Sequence, residues 1–166
     1  PALKSLDRAD RVIYAGSFSK TLFPGLCLGY LVVPESLVQR TIEAKFAHTK
    51  GEAVLGQRVV ADFIADGHFG RHLKRMRGLY AARREALADA LRDTFGDRLQ
   101  MTVQPGGMHL LARFVEGGND VELARRALQH GLMPNALSTQ YIDRTRDHGL
   151  MLGFANIAED QAPAKA

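Results

Sequence analysis

The sequence contains little cysteine: Cys27 is the single thiol among 166 residues. One cysteine excludes an intrachain disulfide and any zinc cluster built from several thiolates, and it favours a cytoplasmic setting. No apolar run approaches the roughly 20 residues that a membrane span requires. The opening PALKSLDRADR is polar and mixed in charge, so it is not a secretory signal. Because the first residue is Pro1 rather than methionine, we expect the native start to be missing.

An excess of either charge is also lacking. Lysine and arginine number 22 against 18 aspartate and glutamate, which gives a formal net charge of +4. So mild a balance does not by itself indicate a nucleic-acid partner. With 46% hydrophobic and 24% charged residues, the composition is that of an ordinary globular chain, long enough for one domain or two small ones.

Apolar patterning predicts a mixed α/β chain, in which the order β-β-α-α-α is followed by β-β-α-β. Strands are predicted at 11–16, 28–34, 99–105, 107–115 and 150–157. Helices are predicted after Pro34 up to the HTKGE segment, and at 53–66, 68–95 and 120–130. The two N-terminal strands are expected to be buried, because their residues are almost all apolar.

Two of these helices carry apolar residues that are expected to face inward. On the helix at 53–66 they are Leu55, Val59, Phe63 and Ile64. On the helix at 68–95 they form one stripe at helical spacing, made of Phe69, Leu73, Met76, Tyr80, Leu87, Leu91 and Phe95. Helix ends are marked by Gly67, which fits a C′ glycine, and by Asn119 with Glu122, which fit a capping box.

Lys20 lies in the segment GSFSKTLFPG, between the two N-terminal strands. Ser17 and Lys20 have the S-x-x-K spacing of serine β-lactamases and penicillin-binding proteins, but the S-D-N and K-T-G partners of those enzymes are missing. A second interpretation is a Schiff-base lysine for pyridoxal 5'-phosphate (PLP), because a lysine at a sheet edge can be desolvated and serine hydroxyls can donate to a phosphate ester. A third is a solvated lysine at a strand end. The residues alone leave these last two open.

The segment RVIYAGSFSKTLFPGLCLGYLVVP resembles the lysine segment of class I/II, fold type I, aminotransferases. It is most similar to the aminotransferase-like domain of the MocR subgroup of GntR-type transcriptional regulators. The resemblance covers nearly the whole chain. It extends over the long interdomain helix in ADFIADGHFGRHLKRMRGLYAARREAL, the Gly-Gly strand turn in PGGMHL and the last small-domain strand in GLMLGFANI.

This resemblance implies an α/β fold, the C-terminal part of a PLP-dependent transferase. Residues 1–67 would end the mixed sheet of the large domain, 68–96 would form the long interdomain helix, and 97–166 would form an α+β small domain truncated at its C-terminus. A homodimer is implied for the parent protein. DNA binding would belong to a separate winged-helix domain that is absent here, and the fragment alone is not expected to be catalytically active.

The resemblance also implies residue roles. Lys20 would hold PLP as an internal aldimine and, once freed by an incoming amine, would move the proton between substrate and cofactor. Ser17 matches a serine that contacts the phosphate, and Ser19 would assist it. The glycines at 106 and 107, above all Gly107, would let the backbone approach the substrate. Tyr14 either lines the pocket or packs in the sheet.

Two positions depart from the family pattern. Cys27 stands where the family has an arginine that clamps the phosphate, which predicts weakened cofactor affinity because a thiol carries no positive charge. Met151 stands where aminotransferases have the arginine for the substrate α-carboxylate, so ordinary transamination of amino acids is not expected. Substitutes for that arginine are Arg113, Arg144 and Arg146.

Three functions of the parent protein remain open: a MocR-like regulator that senses PLP or an aldimine, a true aminotransferase acting on an amino acid or amine, and a degenerate interaction module without cofactor. Other candidate sites are weaker. His68 and His72 are spaced like a metal pair but lack a third ligand, so no metal is expected. His109 is expected to pack, and the basic residues between 71 and 84 are expected to be a solvated helix face.

Overall fold

The computed structural model describes residues 2–48, 54–143 and 147–166. The chain divides into two compact units, Pro1–Leu73 and Lys74–Ala166. The predicted domain boundaries at 67 and 96 differ from this division and stay a prediction. None of the helices within the described ranges has both the length and the hydropathy of a membrane span.

The first unit combines a two-stranded antiparallel sheet with helices. Its elements are α1 (Leu3–Leu6), β1 (Tyr14–Ser17), β2 (Gly29–Val32), α2 (Val38–His48), α3 (Val54–Ala65) and the start of α4 (His68–Phe95). Register places Gly16 directly opposite Tyr30, and a Cβ at Gly16 would overlap the Tyr30 ring. Gly67 ends α3 with a left-handed φ of +72°, which confirms the predicted C′ glycine.

Burial in this unit differs from the sequence-based expectation. All four residues of β2 are exposed, and Leu55 and Val59 of α3 are 78% and 58% exposed. The prediction that Leu55, Val59 and Ile64 face inward is therefore wrong for the described structure, because no described element packs on that face of α3. Val60 is the buried residue of the helix, and Phe63 is half-buried, with its ring stacked on that of His68.

The second unit is built on a four-stranded antiparallel sheet in the order β3-β4-β6-β5. Its elements after α4 are β3 (Leu99–Thr102), β4 (His109–Phe114), α5 (Asp120–Ala127), β5 (Asn135–Ala136), β6 (Gly149–Gly153) and α6 (Ala162–Lys165). Leu87 and Leu91 of α4 pack on Leu110 and Ala112 of β4 and on Phe154 to form the core. Alternation along β4 turns Leu110 and Ala112 towards α4 and the residues between them to the other sheet face.

Element bounds follow the sequence patterns closely where periodicity is long. Helix α4 spans His68–Phe95, as predicted, and every residue of its apolar stripe is buried or half-buried. Only half of the predicted capping box forms: Asn119 Oδ1 accepts from Glu122 N at 3.0 Å, while the Glu122 carboxylate pairs with Arg125. Strand β5 was not predicted, because two residues are too few to show an alternation.

Candidate functional site

Lys20 lies in a loop that is closed around Phe18, the buried residue after β1. Phe18 N donates to Leu28 O at 2.9 Å, which joins the two ends of the loop. The Phe18 carbonyl accepts from Leu22 N at 2.7 Å and from Thr21 N at 3.2 Å. These bonds reverse the chain tightly at Lys20, so the backbone carries that side chain at a fixed point of the loop.

The polar groups nearest in sequence to the lysine are two serines. Ser19 N donates to Ser17 Oγ at 3.1 Å, so Ser17 closes a local turn and keeps its own hydroxyl proton. Ser17 is exposed and Ser19 is half-buried. Lys20 is exposed and forms no hydrogen bond or ion pair with any residue that the structure describes. The amine is therefore available for chemistry, with a hydroxyl donor on the same loop.

Cys27 follows a short 3₁₀ turn, Pro24–Leu26, and adopts a left-handed backbone with φ +47°. Its N donates to Pro24 O at 3.1 Å, and its Sγ lies 3.5 Å from the same oxygen. The side chain is exposed. Position 27 is thus open to solvent, and a longer side chain there would displace no packed group. The loop has no guanidinium at this point.

The N-terminal part of helix α4 contacts the lysine loop within the first unit. The Phe69 ring meets the Phe18 ring edge-on, with centroids 5.7 Å apart. His72 Nε2 lies 2.8 Å from Thr21 O and donates to it as the Nε2–H tautomer. His68, which has the i, i+4 spacing of a metal pair with His72, accepts from Arg71 at 3.0 Å. Among the described residues no group of histidines, cysteines and acids could hold a metal ion.

Two tyrosines stand beside the loop. The Tyr14 and Tyr30 rings are 6.0 Å apart, and Tyr30 also packs on Phe18 at 5.2 Å. The neighbouring hydroxyl of Tyr14, together with desolvation, raises the pKa of Tyr30 above its ordinary value. Tyr14 therefore makes a packing contact; its lining of a pocket stays a prediction.

The remaining predicted site residues belong to the second unit. Gly107 occupies the turn between β3 and β4 with φ +80°, a conformation that favours glycine. Met151 is half-buried in β6, opposite Leu111 of β4. Arg113, one possible substitute for the missing arginine, is engaged: its Nη1 donates to Thr102 Oγ1 at 2.9 Å, and its Nε lies 3.3 Å from Asp147 Oδ2. The other substitutes, Arg144 and Arg146, lie outside the described residues.

Sequence reasoning missed a buried carboxylate in this unit. Asp120, 1% exposed, accepts from Ser138 N at 2.8 Å, from Ser138 Oγ at 2.7 Å and from Gly149 N at 3.2 Å. Burial alone would raise the pKa of Asp120, but these hydrogen bonds, with a smaller contribution from His148, outweigh it and hold the pKa below its ordinary value. The sequence signal was ambiguous, because an acid in the first turn of a helix is usually a solvated partner of the helix dipole.

Comparison with curated proteins points to regulators. The chain is 38% identical over 159 residues to the probable rhizopine catabolism regulatory protein MocR of Rhizobium meliloti, which covers 95% of this chain and 32% of MocR. It is 43% identical over 109 residues to the HTH-type transcriptional regulator TauR of Rhodobacter capsulatus, which covers 64% of this chain and 21% of TauR. The chain thus spans about a third or less of these relatives.

Comparison with solved structures points to aminotransferases. The kynurenine aminotransferase of Pyrococcus horikoshii matches with a TM-score of 0.84 at 28% identity, over 98% of this chain and 40% of that enzyme. The predicted α/β fold class, that of the PLP-dependent transferases, is confirmed. A family model described as aminotransferase class I and II matches residues 2–139. The chain belongs to the class I and II aminotransferase family.

Proposed function

We propose that this chain is a PLP-binding, aminotransferase-like domain in which Lys20 is the Schiff-base lysine, and that it comes from a MocR-like transcriptional regulator that senses PLP or an amine adduct of it. The observation that carries the proposal is the state of Lys20. Its amine is exposed and unpartnered among the described residues, on a loop whose backbone is closed around buried Phe18. A Schiff-base lysine requires an amine that the aldehyde can reach and a rigid backbone to carry it. It also requires partial desolvation, and because Lys20 is exposed in this chain, bound cofactor in the parent protein would have to supply it.

The residues of the loop fit PLP, although less fully than in the family pattern. The Ser17 and Ser19 hydroxyls would donate to the phosphate, and Lys20 would bond the aldehyde carbon. PLP, when bound, supplies an electron sink for carbanion chemistry. Lys20 would take or return the proton at its Nζ. Cys27 offers the phosphate no positive charge, so the phosphate would be held by neutral donors, which bind more weakly than arginine.

The second unit supports a small amine or amino acid as the partner molecule. The left-handed turn at Gly107 presents backbone without a side chain, and Cβ atoms added at Gly106 or Gly107 would meet no atom within 4 Å. Met151 cannot pair with a carboxylate. A regulator needs only to bind its effector, whereas an enzyme must also hold its substrate in a reactive orientation. A regulator therefore tolerates the loss of the arginine for the α-carboxylate better than an enzyme does, and Met151 favours the regulator.

Domain organisation follows from the same proposal. Residues 1–67 would end a large PLP-binding domain, 68–96 would form the long interdomain helix, and 97–166 would belong to a small α+β domain. The parent protein would be a cytoplasmic homodimer. Its DNA contacts would come from a separate winged-helix domain, which the similarity to TauR, an HTH-type regulator, supports.

A true aminotransferase is the second candidate, favoured by the similarity to the kynurenine enzyme of Pyrococcus horikoshii. The coding sequence upstream of Pro1 distinguishes the two: a winged helix and linker favour the regulator, and a direct aminotransferase start favours the enzyme. A cofactor-free interaction module is the third candidate, supported by Cys27 and Met151 together.

Borohydride reduction of the intact parent protein with PLP tests the proposal. We expect one reduced adduct per chain, located at Lys20 by peptide mass spectrometry, and none in Lys20→Ala. Lys74→Ala is the matched control, because Lys74 is also exposed but belongs to the surface of α4. An intact wild-type protein that is never reduced at Lys20 would exclude PLP binding and leave the interaction module.

A further inference from the structure

The first two turns of α4 hold the lysine loop at two points. Phe69 and His72 are three residues apart, so they project from the same face of the helix. Phe69 contacts the Phe18 ring, and His72 Nε2 donates to Thr21 O at 2.8 Å. The residues they contact stand on either side of Lys20 in the chain. We call this pair of contacts, Phe69–Phe18 and His72–Thr21, the α4 clasp.

The His72 contact satisfies a backbone group that the loop leaves open. Thr21 N is already bonded to Phe18 O, but no backbone N–H of a described residue donates to the Thr21 carbonyl. A partly buried carbonyl without a donor carries a free-energy cost comparable to a lost hydrogen bond. The half-buried imidazole of His72 provides that donor, although 51 residues separate the two in sequence.

The clasp acts on Lys20 through the backbone. Lys20 itself forms no contact with a described polar group, so its side chain is oriented only by the conformation of the residues around it. Before Lys20 in the chain, Phe18 is held by ring packing on Phe69; after it, the carbonyl of Thr21 is held by the imidazole of His72. The peptide between Thr21 and Leu22 is therefore held at both of its polar groups, by Leu22 N to Phe18 O and by Thr21 O to His72. Loss of the His72 bond leaves only the first of these, which loosens the segment that directly follows Lys20.

We infer that His72 is a positioning residue for Lys20: its Nε2–H holds the Thr21 carbonyl and so restrains the loop that carries the amine. The inference rests on the proposed role of Lys20 and adds a second element, α4, to that site. It differs from a purely structural role in one respect. Loss of the donor impairs the reaction of Lys20 with an aldehyde more than it impairs the stability of the fold.

The test uses the intact protein without cofactor and compares His72→Ala, His72→Gln and His68→Ala. Glutamine keeps an N–H donor on a side chain of similar reach. His68 belongs to the same turn of α4 but bonds Arg71 instead of the loop, so its variant is the matched control. Three quantities are measured: the rate of adduct formation with added PLP by absorbance and borohydride trapping, the exchange rate of the Leu22 amide hydrogen, and the thermal midpoint.

We expect His72→Ala to slow adduct formation at least about tenfold, because misplacement of a reacting group by about 1 Å has effects of this order. The Leu22 amide should exchange faster, and the midpoint should fall by only a few degrees. His72→Gln should restore most of the rate, and His68→Ala should match the wild type. Equal rates in His72→Ala and wild type would overturn the inference, and so would a loss of rate that glutamine does not rescue.

The same experiment separates this inference from the proposed function. If the wild type forms no adduct at all, the PLP proposal fails. Exchange at Leu22 in the protein without PLP then decides whether His72 positions the loop: faster exchange in His72→Ala, reversed in His72→Gln, supports the clasp, and unchanged exchange overturns it.

Discussion

The ring of Tyr30 lies across Gly16, its directly opposed residue on the neighbouring strand. The glycine leaves the space that the ring occupies, and the ring in turn packs on Phe18 at the start of the lysine loop. The absence of a side chain at Gly16 of β1 therefore lets Tyr30 of β2 pack on Phe18, the residue around which the lysine loop is closed.

Gly16→Ala should displace the Tyr30 ring, because the new Cβ would overlap it. We expect the free energy of unfolding to fall by about 1–3 kcal/mol, the usual range for overpacking. Urea unfolding of the intact protein measures it. In a Tyr30→Ala background the same glycine substitution should cost almost nothing, and an equal cost in both backgrounds would contradict the contact.

Asp120→Asn should destabilise the second unit. Asp120 Oδ2 accepts from Ser138 N and Gly149 N, and an amide oxygen can replace it there; the NH₂ then replaces Oδ1, so the bond to Ser138 Oγ must reverse and the buried negative charge that the three donors face is lost. We expect a loss of about 2–3 kcal/mol, since bonds to a buried charge are worth more than neutral ones. Asp89→Asn is the control, because that acid is exposed and pairs only with Arg92 at the surface of α4; a similar loss there would refute the explanation.

The same carboxylate makes stability depend on pH. The pKa of Asp120 is lowered in the folded state, so its contribution is fully present above the unfolded-state pKa of about 3.9 and is lost as the pH falls through the lower folded-state value. Wild-type stability should therefore fall more steeply below about pH 4 than that of Asp120→Asn. Thermal midpoints at stepped pH measure this; parallel curves for the two proteins would be the contrary result.

Cys27→Arg should strengthen PLP binding. The side chain is exposed, so arginine displaces nothing, and it adds a charge-assisted bond to the phosphate worth about 1.5–3 kcal/mol, or roughly 10- to 100-fold in affinity. Spectroscopic titration with PLP measures the gain. Cys27→Gln has similar length without charge and should gain little, and an arginine variant that binds no better than glutamine would show that position 27 does not face the phosphate.

Gly107→Ala should cost about 1–2 kcal/mol of unfolding free energy although it creates no clash. A Cβ at this position meets no atom, but the φ of +80° is unfavourable for a residue with a side chain. Gly106→Ala is the matched control, because its φ lies outside the left-handed region and its surroundings are equally open. Chemical denaturation measures the unfolding free energy of both variants. Equal stability of the two would indicate that the turn relaxes and would contradict the prediction.

A structural feature could be predicted from the sequence when the residues that determine it lie close together in the chain. The bounds of α4 were correct because its stripe repeats over many turns. Lys20 was singled out because strand, hydroxyls and proline-glycine are contiguous, and its role stays a prediction. The exposure of Leu55 and Val59 was missed, because an apolar face shows only that a helix can be covered, not that a described element covers it.

The bond between His72 and Thr21 joins residues 51 positions apart, and no periodic pattern reports such a pair. Position 72 was considered only through its spacing from His68, a local signal that says nothing about Thr21.

Cys27 also has a practical consequence. It is the only cysteine of this chain, it is exposed, and it lies seven positions after Lys20. A maleimide fluorophore or nitroxide label would therefore attach at one defined point of the lysine loop, with no cysteine to be removed from these 166 residues beforehand. Changes in that loop on addition of an amine or an aldehyde would then be readable as a spectroscopic signal from the native sequence.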